Sequence, residues 1–160
     1  MTKSEYNKYL KSDHWIQIRR KRKQIDNHSC YLCHKRKQLN VHHLSYAQLH
    51  NEDVENDLVT LCHDCHRMLH RIQNGVKKEY NNFLWRKDAE SPTAFEGKLK
   101  EKIIEAIWLR DENFGGDLKV FRGNTKMINR FLKVVKILYP DIRLQNVTND
   151  VRNELKKVSF

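Results

Sequence analysis

Apolar and polar positions follow two different rhythms along this chain, and the changes of rhythm mark its elements. The stretch SEYNKYLK at 4–11 suits a short helix with Tyr6, Tyr9 and Leu10 turned inward. Ser12 or Asp13 can cap a second helix reaching about Asp26, in which Trp15, Ile18, Arg22 and Ile25 recur at helical spacing. Trp15 and the isoleucines read as core. From Leu39 to His42 the period drops to two, as a strand requires, and Leu58-Val59-Thr60-Leu61 forms a second strand. The polar segment 44–57 joins them. A helix from about His63 to Asn74 follows, ended by Gly75, and then a further helical run, VKKEYNNFLWRKD.

AESP at 89–92 is the best linker, because Pro92 restricts Ser91 and interrupts a helix. Beyond it, Leu99, Ile103, Ile107 and Trp108 mark a helix from Glu96 to Arg110, and Gly115-Gly116 breaks the chain. Asn124 can cap a helix carrying Ile128, Phe131, Leu132, Val135 and Leu138, which Pro140 stops. Thr148 can cap a last one with Val151, Leu155 and Val158. The expectation is an α+β protein with one domain over residues 1–88, the linker, and a basic helical extension over 93–160.

Charge sharpens this picture. The 160 residues carry a net +11. A basic chain of this size implies a polyanionic partner, most often nucleic acid. Residues 1–40 hold eleven Lys and Arg against three acids, 41–92 hold six against eight, and 93–160 hold fourteen against nine. The near-neutral middle is therefore flanked by two basic segments. Arg19, Arg20, Lys21, Arg22 and Lys23, and then Lys35, Arg36 and Lys37, are the candidate phosphate contacts, with a solvated basic face as the alternative. No apolar run is long enough for a membrane span and no secretory h-region opens the chain, so a reducing, cytoplasmic setting is expected.

The middle segment carries the chemistry. Cys30 and Cys33, then Cys62 and Cys65, form two C-x-x-C pairs that use every cysteine in the chain. A two-residue spacer lets both sulfurs of a pair face one ion, and two pairs complete a tetrahedral thiolate shell suited to zinc. Two disulfides, or four unrelated thiols, are the alternative. Four protein ligands leave no open position, so such a zinc is structural. The histidines obey another grammar. His42 and His43 are strand neighbours, whose side chains point to opposite faces, so one ligates while the other stays free. His66 and His70, four apart on a helix, share one face. His42, His66 and His70 would make an open three-histidine site with room for water and a phosphate oxygen.

These residues resemble the HNH endonucleases, also called ββα-metal or His-Me finger nucleases, and within them the zinc-knuckle subgroup. The matching pieces are VHH at 41–43, NDLVTLC at 56–62 and CHDCHRMLH at 62–70, within a similarity covering about residues 4–72. The resemblance implies a zinc-stapled ββα-metal finger with N-terminal helices and a helical C-terminal extension. It implies a metal-dependent DNA endonuclease that leaves 5′-phosphate and 3′-hydroxyl ends. His42, His66 and His70 would bind one catalytic Mg2+, Mn2+ or Zn2+, and His43 would be the general base. A central Asn normally braces the loop that holds the base; here that position is Asp57, with Asn56 beside it. Ionised Asp can only accept hydrogen bonds, so either Asp57 braces by accepting alone or Asn56 acts one residue early. The other reading is a non-catalytic zinc-finger nucleic-acid-binding protein. The C-terminal helices match no known family pattern; they could read DNA, cap the nuclease, or dock a protein or a second copy of the chain.

Overall fold

The computed structural model describes residues 2–85, 92–112, 124–140 and 144–156. It is a mixed α+β protein with a two-stranded antiparallel sheet, divided into two compact units, residues 1–63 and 64–160.

The first unit begins with α1 (Lys3–Tyr9), capped by Thr2 and Glu5 in a reciprocal pair. Ser12 then caps α2 (Asp13–Ile25), its hydroxyl accepting the Trp15 N–H at 3.2 Å. Strand β1 (Leu39–His43) pairs with β2 (Leu58–Cys62), with His42 opposite Val59 and His43 opposite Leu58. Helix α2 packs on both strands. The small core gathers Tyr9, Trp15 and Leu58, with Tyr6, Leu10, Ile18, Val41 and Leu49 against it. Trp15 and Ile18 are core as the spacing predicts, but Ile25 lies 44% exposed at the last turn of α2.

Arg22 departs from its expected role. It is buried, not a surface phosphate contact. Its guanidinium forks onto the Asp26 carboxylate at 2.8 and 2.5 Å, and donates to the backbone carbonyls of Val54 and Glu55 at 3.1 and 2.9 Å. Asp26 in turn accepts the Thr60 N–H at 2.8 Å. One buried ion pair therefore ties α2 both to β2 and to the connection between the strands. Arg22 shares a helical face with Trp15 and Ile18, and that face is the inward one.

The second unit is helical: α3 (His63–Trp85), α4 (Pro92–Glu112), α5 (Thr125–Leu138) and α6 (Leu144–Lys156). Gly75 does not end α3; the helix runs through it for ten more residues. A Cβ there would lie 2.9 Å from the Lys102 side chain of α4, so the glycine allows close helix approach. Pro92 opens α4 at a position where a missing N–H costs nothing, while 89–91 of the proposed linker lie outside the described residues. Gly115-Gly116, Lys157 and Val158 lie outside them too. Asn124 caps α5 as predicted, accepting the Met127 N–H at 3.2 Å. Thr148 lies inside α6, which begins four residues before it, and not at its N-cap position. The core of this unit includes Phe95, Leu99, Ile103, Ile107, Phe131, Val135 and Val151. No helix among the described residues is long and apolar enough to cross a membrane.

Candidate metal centres and the buried histidine

The first pair of cysteines sits on a tight turn. His34, at φ 59°, closes it by donating its N–H to the Cys30 carbonyl at 2.8 Å, and Cys30 donates to the Lys35 carbonyl at 2.9 Å. The second pair straddles the seam where β2 ends at Cys62 and α3 begins at His63 without a loop. The four ligand sulfurs lie within 4.8 Å of one another, and three of the four cysteines are buried. None of the four is in a disulfide, and Cys33 Sγ and Cys62 Sγ lie 3.5 Å apart. Tetrahedral zinc with Zn–S near 2.3 Å holds its sulfurs about 3.8 Å apart, whereas a disulfide needs about 2.05 Å. The donor set and spacing fit zinc, and the disulfide alternative does not describe this arrangement.

The second cluster is His42, His66 and His70, whose ring nitrogens also lie within 4.8 Å of one another. His66 Nε2 and His70 Nε2 are 3.2 Å apart, as the i, i+4 spacing on α3 requires. Burial pushes the His70 imidazole below its ordinary pKa, which favours the neutral, metal-binding form near pH 7. Three imidazoles grouped in this way could hold a metal ion, and no fourth ligand joins them among the described residues.

His43 keeps different company. It is 2% exposed and lies between two rings: Trp15, with centroids 4.5 Å apart and planes at 13°, and Tyr46, at 4.9 Å and 24°. Its Nε2 faces Glu52 Oε1 at 3.5 Å. Burial lowers its pKa, and the nearby charges of Glu52 and Asp57 counter this in part.

Glu52 is the residue that the sequence pattern does not reveal. The connection 44–57 reads as polar linker, yet this carboxylate is buried within it. It accepts the Tyr9 hydroxyl, pairs with His14 Nε2 at 2.8 Å, and accepts the His50 N–H at 3.2 Å. Burial alone would raise its pKa from 4.5, but the bonds from His14, Tyr9 and the backbone outweigh it and bring it down to about 2. His14 and His50 are thus part of this cluster; His50 also meets the Tyr9 ring edge-on at 4.7 Å.

Asn56 and Asp57 spend their side chains inside one turn. Asn56 donates to the Asp53 carboxylate at 2.7 Å, and Asp57 accepts the Asp53 N–H at 2.9 Å. The link to the histidine strand is made by backbone: the Asp57 carbonyl accepts the Leu44 N–H at 2.7 Å. The Asp57 backbone is thus bonded to the residue after His43.

Among the basic residues, Arg19, Arg20 and Lys23 line a cavity of about 270 Å³ with Ile16 and His28. Burial and the neighbouring Arg19 lower the Lys23 pKa. No carboxylate among the described residues pairs with these three cations. Arg36 and Lys37 are exposed, and Lys35 partly so. No family model, curated protein or solved structure matches this chain.

Proposed function

We propose that the protein is a metal-dependent DNA endonuclease of the HNH type, stapled by a structural zinc at Cys30, Cys33, Cys62 and Cys65. The observation that carries this reading is the pairing of a closed four-thiol cluster with an open three-histidine cluster, built on one strand pair and the helix that follows it. His42, His66 and His70 would hold one divalent ion, Mg2+, Mn2+ or Zn2+, and that ion would supply Lewis acidity to the scissile phosphate and the leaving 3′ oxygen. His43, one residue from a ligand but outside the cluster, is the proton acceptor. Its lowered pKa keeps it neutral near pH 7, as a base must be. It takes a proton from water; the oxygen left behind attacks phosphorus in line; the P–O3′ bond breaks, and the leaving 3′ oxygen takes a proton from solvent water, giving a 5′-phosphate and a 3′-hydroxyl. Arg19, Arg20, Lys23, Lys35, Arg36 and Lys37 grip phosphates on the flanks.

The test is purified protein with supercoiled plasmid, with and without Mg2+ or Mn2+. The expected result is metal-dependent nicking that EDTA abolishes. One feature favours a second reading, a zinc-finger DNA-binding protein without catalysis: His43 is only 2% exposed. Tight plasmid binding with no cutting under any divalent ion would establish that reading instead.

A further inference from the structure

Four separate pieces of the first unit send a polar group to one carboxylate. Tyr9 comes from α1, His14 from α2, His43 from β1, and the His50 N–H from the connection. A buried carboxylate with these bonds is fixed in place, and side-chain exposure of Glu52 is 1%. His43 is fixed as well, because a ring between two near-parallel aromatic faces can move only within its own plane. The remaining freedom is rotation about the ring normal; Nε2 is buried and makes no hydrogen bond, and the acceptor it faces is the Glu52 oxygen 3.5 Å away. Carboxylate can only accept, so the nitrogen facing it carries the proton.

We propose that Glu52 is the positioning residue of His43: it holds the Nε2–H side of the ring and leaves Nδ1 as the nitrogen that takes the proton from water. The proposal rests on the nuclease reading above. The 3.5 Å separation is long for a hydrogen bond, as such contacts commonly are before substrate binds. His14 on Oε2, and Tyr9 and the His50 N–H on Oε1, hold the carboxylate from other sides and stop it turning away. This assigns a task to a residue in a segment whose composition suggests only a linker.

The test has two arms. The first is the wild-type protein with its zinc, labelled with 15N histidine. His43 should show a protonated Nε2 and an unprotonated Nδ1 at pH 7; the reverse tautomer overturns the proposal. The second arm compares Glu52→Gln with Asp26→Asn, which loosens the Arg22 anchor without touching His43. Glu52→Gln should lower the rate at saturating DNA by about 10-fold or more, a part of the 10²–10⁴ that a general base supplies, with KM and zinc content unchanged. Asp26→Asn should lower the Tm and leave the saturated rate within threefold. Equal rates for wild type and Glu52→Gln overturn the positioning role while the nuclease reading stands. If both variants lose rate only in proportion to lost folded protein, Glu52 is structural and the proposal fails. A wild type that cuts no DNA removes the nuclease reading and the proposal together.

Discussion

Trp15 and His43 stack almost face to face, 4.5 Å between centroids and 13° between planes, so a helix side chain sets the plane of a strand imidazole. Trp15 is also one of three residues at the heart of the first unit's small core. Removing it should therefore act on stability first. Trp15→Ala should cost about 3–5 kcal/mol, the usual range for a buried Trp, and Trp15→Phe clearly less. Urea unfolding of the zinc-loaded protein measures both. A cost below 1 kcal/mol for Trp15→Ala would mean that the ring is not packed as described.

The cysteine cluster predicts a folding dependence on metal. Cys33→Ser removes one of four thiolates and should drop the zinc content from one per chain toward none, with a lower Tm and poorer yield. Metal analysis by mass spectrometry, with free-thiol titration, measures this. Unchanged zinc in the variant would assign the metal to other ligands.

Arg20 and Arg22 are two residues apart and should behave as different kinds of residue. Arg22→Ala leaves Asp26 buried without its cation and should cost about 3–5 kcal/mol of stability. On the nuclease reading, Arg20→Ala, on the exposed side of α2, should leave stability unchanged, weaken DNA binding, and reduce the salt dependence of log K by about one unit. Binding isotherms at several salt concentrations, with thermal melts, separate the two. A normal salt slope for Arg20→Ala would remove it from the proposed DNA interface.

The contrast between these arginines also shows what the sequence can and cannot carry. Local rules place much of the chain: the period-two runs become β1 and β2, Ser12 and Asn124 cap their helices, and the two C-x-x-C pairs meet. Arg22 was legible in principle, because its spacing put it on the apolar face with Trp15, but a run of five cations obscured it. Gly75 failed as a stop signal because the helix continues through it, where a Cβ would crowd the Lys102 side chain. Glu52 could not be read at all. Its partners lie up to 43 residues away, and no local pattern marks a carboxylate that several distant groups will surround.

Glu52 also predicts a pH dependence of stability. Its pKa falls from 4.5 to about 2 on folding, so the ionised form favours the folded state. The contribution is fully present above about 4.5, shrinks as pH falls, and is gone near 2. A drop of that size corresponds to about 3 kcal/mol. The stability gap between wild type and Glu52→Gln should thus be largest near pH 6 to 7, and narrow steadily below about 4.5. Both proteins lose zinc together in acid, so the difference between their urea midpoints is the quantity to follow. A gap that stays constant down to pH 3 would mean the carboxylate is not held as described.

His42 and His43 provide the sharpest division of labour, because adjacent residues of one strand lie in different surroundings. His42 belongs to the cluster with His66 and His70, while His43 lies between Trp15 and Tyr46 against Glu52. On the nuclease reading, His43→Ala removes the proton acceptor and should lower cutting by about 10²–10⁴-fold, with DNA affinity and divalent-ion binding nearly intact. His42→Ala and His70→Ala should instead weaken ion binding, and excess ion should restore part of their activity. Calorimetric titration of Mn2+ into each variant, beside plasmid nicking at two Mn2+ concentrations, reads both effects. Loss of the ion in His43→Ala with its retention in His42→Ala would exchange the two roles. Wild-type nicking by both variants would place the cutting chemistry elsewhere in the chain.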